Sequence, residues 1–409
     1  VIKEYSGIAP KSDLLLIQKL CDKLKGKSFV HVNSTREGGG VAEILHRMIP
    51  FLQEQGIDAR WDVIEGDADF FDFTKKTHNA LQGNREKFTK PMWDHYYEVN
   101  RRNRRNVDLK ADCVLIHDPQ PAPLIDFRPK SGKGRNNIWM WRCHIDISNP
   151  MPSLWSQLKK HVVKYDTAIF SVPKFAKSLP INEFIVTPSI DPLSDKNRDL
   201  SDEEIHAVGE KFNIPRDKKL ILQVSRFDKF KDPIGVINAY KIVKKYNDCA
   251  LILAGSPATD DPEGEAILNE VKEYAGNDPD IIILLLPPDN HKEINALQRM
   301  SDVILQKSIK EGFGLTVSEA MWKEKPVIGG AVGGIPLQIV HGVTGFVVYS
   351  PEGAAFRIRQ YLNDPVMART MGQQGKEFVR KNFLLTRQIR DYLAVWYCSA
   401  NKGKHMIEL

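Results

Sequence analysis

Two glutamates eight residues apart bracket a glycine turn in Glu311-Gly312-Phe313-Gly314-Leu315-Thr316-Val317-Ser318-Glu319-Ala320. A short apolar run ends at about Leu305, the glycines follow, and the pattern predicts a helix from near Leu315. The first N–H groups of a helix lack intrahelical partners and carry partial positive charge, so this start suits a phosphate. Glu311 stands before the turn and Glu319 about one turn inside the helix. One carboxylate can therefore bind sugar hydroxyls at the loop while the other holds a ribose or another polar group. A lone Gly-x-Gly would be an ordinary strand-to-helix turn, whereas the whole pattern is far more specific. Arg226 and Lys231 lie five apart in Gln223-Val224-Ser225-Arg226-Phe227-Asp228-Lys229-Phe230-Lys231-Asp232-Pro233, on another strand-to-helix loop. Two cations there can grip a diphosphate and offset its charge as a glycosidic bond breaks.

The first half carries a second set. Glu37-Gly38-Gly39-Gly40-Val41-Ala42-Glu43 follows a strand pattern and opens a helical one. Its glycines let the backbone approach a ligand closely. It is not GxGxxG and no acidic residue follows at the right distance, so a nicotinamide dinucleotide site is poorly supported. His117-Asp118-Pro119-Gln120 and Arg142-Cys143-His144-Ile145-Asp146 each lie just past the carboxyl end of a strand, where α/β sheets place ligands. Asp146 is a candidate partner for a sugar hydroxyl or for His144. Gly333-Gly334-Ile335-Pro336 is a further turn before a short helix. The basic run Arg101-Arg102-Asn103-Arg104-Arg105 reads as a solvated helix face, because no interleaved aromatics offer stacking for nucleic acid. No metal-ligand cluster is visible.

The elements that must position these residues alternate. Strand signals occur at 28–34, 60–64, 113–116, 138–142, 168–172 and 184–186, and again at 220–224, 250–254, 281–286, 303–305, 327–328 and 346–348. Helical spacing separates most of them, which indicates two α/β units with parallel sheets. Residues 66–110 read as helices or an inserted loop. Pro188-Ser189-Ile190-Asp191-Pro192 is a linker candidate. This places a first domain at 1–190 and a second at 191–383. The amphipathic stretch from Leu384 to Tyr397 follows a complete second series, and packing back on the first domain explains its position. The chain has 409 residues, 42% of them hydrophobic and 27% charged, which is ordinary for a globular protein. Its net charge of +6 is too weak to argue for nucleic acid. No apolar run approaches the length of about 18 residues that spans a bilayer. The five cysteines are scattered without CxxC spacing, against a disulfide framework or zinc ribbon. A cytoplasmic protein off the membrane is the expectation.

From Ser28 to Trp396 the chain resembles glycosyltransferase family 4, the retaining nucleotide-sugar enzymes of GT-B fold. The family pattern E-G-F-G-L-x-x-x-E-A is matched from Glu311 to Ala320, and the family's Arg and Lys spacing is matched by Arg226 and Lys231. Asp232 stands where the family typically has Gly. The stretch from Phe71 to Gly83, His117 to Pro121 and Trp141 to Asp146 look like the trehalose-forming branch of that family. The resemblance implies two Rossmann-like α/β domains facing a central cleft, with a C-terminal helix (about 384–409) returning to the N-terminal domain. It implies transfer of glucose from a nucleoside diphosphate glucose to free glucose. Glu311, Arg226, Lys231 and His144 would be catalytic. Gly39, Gly40, Arg226, Lys231, Gly312, Phe313, Gly314, Leu315, Thr316 and Glu319 would bind the donor, with Glu319 on its ribose. Glu37, Gly38, Asp146, His78 and Gln120 would bind the acceptor. No cofactor is obligatory; Mg2+ could escort the nucleotide sugar, and a homodimer is compatible. The alternatives are a family member with another acceptor or a GT-B sugar-nucleotide epimerase.

Overall fold

The computed structural model describes residues 2–36, 39–256, 262–287 and 289–403. The chain divides into two compact units, Val1–Pro188 with Leu385–Leu409, and Ser189–Leu384. Each is built on a six-stranded sheet whose paired strands all run parallel.

In the first unit the strands are β1 (Ser28–Asn33), β2 (Asp58–Val63), β3 (Cys113–His117), β4 (Ile138–Cys143), β5 (Thr167–Phe170) and β6 (Asn182–Ile185), in the order β2-β1-β3-β4-β5-β6. In the second they are β7 (Lys219–Val224), β8 (Cys249–Gly255), β9 (Ile281–Leu285), β10 (Val303–Gln306), β11 (Val327–Gly330) and β12 (Phe346–Val348), in the order β12-β11-β10-β7-β8-β9. The central strands β3, β4, β8 and β10 are buried at every position. That is why they read as continuous apolar runs rather than alternating ones. The strand order reverses between β1 and β3 in one unit and between β7 and β10 in the other. Ligands of such sheets bind outside the carboxyl ends at these reversals.

Every strand signal in the sequence corresponds to a strand, with ends displaced by a few residues. Residues 66–110 contain two helices, Ala68–Leu81 and Lys90–Asn103. The terminal helix Leu385–Ala400 packs on the first unit: Trp396 lies 4.9 Å from the Phe29 ring, and Arg390 pairs with Asp13 at 2.7 Å. Among the described residues no helix is long and apolar enough to cross a membrane.

Candidate active site

In the second unit the loops after β7 and β10 meet at the strand-order reversal. Lys231 Nζ donates to Glu311 Oε2 at 2.5 Å, joining two residues 80 apart in sequence. The same oxygen accepts from Ser308 Oγ at 3.2 Å, and Glu311 Oε1 accepts from the Gly312 N–H at 3.1 Å. Both Lys231 and Glu311 are largely buried. Gln223 holds the two loops in register: its Nε2 donates to the Lys231 carbonyl at 2.9 Å and its Oε1 accepts from the Lys307 N–H at 3.0 Å. Arg226 is exposed and among the described residues pairs with Asp228 alone, at 3.5 Å, so its guanidinium is available to an anion.

Asp232 keeps the backbone shape that glycine would supply. Its φ is +51°, in the left-handed region, and its carboxylate caps the helix Pro233–Lys244 by accepting from the Gly235 N–H at 3.1 Å. The carboxylate also pairs with the buried Lys307. The departure from the family pattern therefore leaves the Lys231 backbone in place and adds an ion pair behind it.

The helix Leu315–Trp322 has Gly314 at its N-cap, with φ +80° and no side-chain cap. Its first donors thus remain open to an anion. A Cβ on Gly314 would sit 3.2 Å from Ile335 Cγ1 and 3.3 Å from Glu311 Cγ. The Gly333-Gly334 turn backs directly on this loop, since a Cβ on Gly333 would fall 1.8 Å from the Glu311 carbonyl oxygen. Gln338 staples loop to helix: its Nε2 donates to the Phe313 carbonyl at 2.6 Å, and its Oε1 accepts from Ser318 Oγ at 2.6 Å. Thr316 Oγ1 donates to Gln306 Oε1 at 2.6 Å. Glu319 is buried and faces Lys196 at 3.8 Å. One turn on, Lys323 donates to the Glu319 carbonyl and to Asn197 Oδ1, both at 3.0 Å, and burial lowers its pKa.

In the first unit the reversal lies between β1 and β3, and three imidazoles cross it in a line. His31 Nδ1 is 3.1 Å from His117 Nε2, and His117 Nδ1 is 3.0 Å from His144 Nε2. His31 and His117 are buried and His144 is half-buried. Burial pushes the His31 pKa down to about 3. It carries His117 and His144 well below the usual range too, with the Arg142 charge adding to the effect. Asp118 sits at φ +64° and accepts from the His144 N–H at 2.7 Å. Burial raises its pKa to about 6. Behind this turn, Tyr96 Oη donates to the Pro119 carbonyl at 2.5 Å and Asn100 Nδ2 to the Gln120 carbonyl at 3.1 Å.

Asp146 does not partner His144. Its Oδ1 accepts from the Ser148 N–H at 2.9 Å and the Ser148 hydroxyl at 2.6 Å, closing a local turn, and His117 takes the place at His144. Gln120 Oε1 is buried with no partner among the described residues. His78 is half-buried on the helix Ala68–Leu81. Gly39 and Gly40 open the helix Gly39–Glu54. Glu37 and Gly38 lie outside the described residues. Sequence spacing missed His31, Gln223, Lys307 and Gln338, which act across the sheet or between loops and carry no local signature. Among the described residues, no group of three or more His, Cys, Asp or Glu is arranged to hold a metal ion.

Residues 31–177 match the model of the trehalose synthase N-terminal domain, and residues 205–378 match that of group 1 glycosyl transferases. Over 400 residues the chain is 48% identical to trehalose synthase of Pyrococcus horikoshii, covering 96% of this chain and 95% of that one. It is 41% identical to trehalose synthase of Rubrobacter xylanophilus, covering 97% and 96%. In fold it is similar to an α,α-trehalose-phosphate synthase (UDP-forming) of Burkholderia xenovorans in complex with glucose-6-phosphate. The TM-score is 0.72 at 14% identity, covering 91% of this chain and 100% of that one. The chain is a glycosyltransferase of GT-B fold and belongs to the trehalose synthase family.

Proposed function

We propose that the protein is a retaining glucosyltransferase that moves glucose from a nucleoside diphosphate glucose to free glucose, joining both anomeric carbons to give α,α-trehalose and the nucleoside diphosphate. The observation that carries this reading is the Lys231–Glu311 pair beside the uncapped start of the helix Leu315–Trp322. Together with exposed Arg226, it gathers cationic and N–H donors where a diphosphate leaving group would gain charge. Identity of 48% and 41% over nearly the whole length to proteins named trehalose synthase supports the product.

In the reaction the bond between glucosyl C1 and the diphosphate oxygen breaks. The anomeric hydroxyl of the acceptor attacks C1 from the same face, and its proton passes to the departing phosphate oxygen. Arg226, Lys231 and the N–H groups of Leu315 and Thr316 hold the diphosphate. Glu311 orients Lys231 and accepts from hydroxyls of the transferred glucosyl group, while Glu319 takes the donor ribose. His144 hydrogen-bonds the transferred glucosyl group, and Gln120, whose Oε1 has no partner among the described residues, takes the acceptor. The two cations supply the charge that a metal would otherwise provide, so a divalent ion is an escort of the nucleotide and not a requirement. The free acceptor separates this reaction from that of the Burkholderia protein, which holds glucose-6-phosphate.

The test is product analysis with ADP-, UDP- and GDP-glucose, each with free glucose or glucose-6-phosphate, with and without EDTA. The expected product is non-reducing α,α-trehalose from free glucose. Product only from glucose-6-phosphate, or epimerised nucleotide sugar without disaccharide, would overturn the reading.

A further inference from the structure

Beyond His144, two histidines in the first unit have no role in the reaction described above. They are fully buried, stacked and joined end to end: the His31 and His117 rings lie 5.3 Å apart with 20° between planes, and His117 and His144 lie 5.3 Å apart with 16°. We propose that His31 and His117 are positioning residues that lock His144 in its Nδ1–H tautomer, so that the imidazole offered to the sugar is a neutral hydrogen-bond donor. The sugar contact rests on the function proposed above; the tautomer does not.

Each of the two nitrogen–nitrogen contacts needs one N–H and one lone pair, because a neutral imidazole carries one of each. Only two arrangements of a neutral chain satisfy both contacts. In one, every proton sits on Nδ1; in the other, every proton sits on Nε2. The far end decides between them. His31 Nε2 is buried with no partner among the described residues, so it is either a bare lone pair or a bare N–H. Orphaned buried N–H groups are rarer than under-satisfied acceptors. The chain therefore takes the first arrangement: His31 Nδ1–H donates to His117 Nε2, and His117 Nδ1–H donates to His144 Nε2. His144 is left with its proton on Nδ1, where no described residue accepts it. This is the tautomer an imidazole in water does not favour, so the relay has something to enforce.

The surroundings oppose a charged chain. Among the described residues the guanidinium of Arg142, fully buried on β4, donates only to Ser171 Oγ at 3.0 Å, and its Nε and Nη1 have no partner. A second cation beside it would be costly. Asp118 faces the His144 backbone and fixes the direction of the ring's attachment, not its proton. The same logic is used where a second hydrogen bond selects the tautomer of a catalytic or metal-bound histidine.

The experiment is a two-bond 1H–15N correlation spectrum of the full chain labelled with 15N-histidine, without substrate at pH 7.5, with His144 assigned by His144→Gln. The expected pattern for His144 is a protonated Nδ1 and an unprotonated Nε2. An Nε2–H or doubly protonated His144 overturns the proposal, and this spectrum decides even where variants fail to fold. His117→Phe should convert His144 to the Nε2–H pattern and lower kcat tenfold or more. His117→Asn, which still carries an N–H toward His144, should recover most of that loss. A folded His117→Phe with wild-type kcat and an unchanged His144 pattern also overturns it. Unchanged turnover in His144→Ala would instead remove the sugar contact while leaving the tautomer assignment to the spectrum.

Discussion

Both units wind a parallel six-stranded sheet and bring polar groups to the place where strand order reverses, yet the groups they bring differ in kind. Past β7 and β10 the second unit gathers formal charges: Lys231 against Glu311, Lys307 against Asp232, and Arg226 left exposed. Within β1, at the end of β3 and just past β4 the first unit gathers imidazoles whose pKa values burial lowers. A diphosphate changes charge during transfer, and sugar hydroxyls do not. On the proposed function, ions would serve the first and neutral donors and acceptors the second, because an uncompensated buried ion is costly. The same architecture thus hosts two electrostatic regimes, set by which residues follow the strands.

The largest effect that could break this contrast is on the charged side. Lys231→Ala and Arg226→Ala should each lower kcat by about 100-fold or more, the loss typical of removing a donor used mainly in the transition state. Because Lys231 and Glu311 form one unit, Lys231→Ala combined with Glu311→Gln should cost much less than the sum of the two single losses. Steady-state kinetics on the three variants and the pair checks this. Additive losses would separate the two residues, and near-normal turnover would take the diphosphate away from them.

The neutral side is sharpened by pH. His31 and His117 have pKa values far below the ordinary 6.5, so the unfolded chain binds protons below pH 6.5 that the folded chain refuses. Their contribution is fully present above that pH and is lost as pH falls. At pH 5 the His31 imidazole should have cost about 2 kcal/mol relative to neutral pH, and His117 adds to the loss in the same direction. Asp118 acts in the opposite sense. Its raised pKa of about 6 means that acid relieves a buried charge, returning about 1 kcal/mol over the same range. Denaturant unfolding from pH 7.5 to 5 should show a net fall in stability, and a flat profile would mean the imidazoles are not held neutral.

The fold was largely legible. Parallel strands buried on both faces leave apolar runs such as Cys113–Ile116 and Ala250–Ala254, and helices between them leave period-3.6 spacing. The Glu311–Glu319 segment was legible because its glycines, helix start and carboxylates are local. What stayed hidden depends on strand order. Lys231 and Glu311 meet because β7 and β10 are neighbours, and nothing in either segment states this. His31 reads as one polar residue in a strand until β1 and β3 are paired. Asp146 failed as a partner of His144 because a serine two residues on was closer to hand.

A smaller effect divides the two glutamates. Glu319 is buried inside the helix beside Lys196, whereas Glu311 is engaged with Lys231 at the loop. A ribose contact is made about equally in ground and transition states, so its loss mainly weakens donor binding. Glu319→Ala should therefore raise donor KM about tenfold or more with a lesser fall in kcat, a loss of about 1.4 kcal/mol. Glu311→Ala should do the reverse. A fall in melting temperature for Glu319→Ala with unchanged kinetics would make that glutamate a support of the helix and nothing more.

The smallest expected effect asks whether all the charges of the second unit serve the reaction. Asp232 stands at φ +51°, where glycine is at ease, and it both caps the helix Pro233–Lys244 and pairs with Lys307. Asp232→Gly should relieve about 1 kcal/mol of backbone strain. As an N-cap, glycine costs only a few tenths of a kcal/mol. Against these stands Lys307, buried and left with an unpaired charge, a cost of several kcal/mol for a fully stranded ion. Lys307 is long enough to shift toward water, so we expect a net loss of about 1–2 kcal/mol in stability. Turnover should stay within a few-fold, because the Lys231 carbonyl is still held by Gln223. Adding Lys307→Met should restore stability by removing the stranded charge. Unfolding curves and kcat for the single and double variants separate the outcomes. A large drop in kcat that Lys307→Met does not recover would place Asp232 in the reaction rather than behind it.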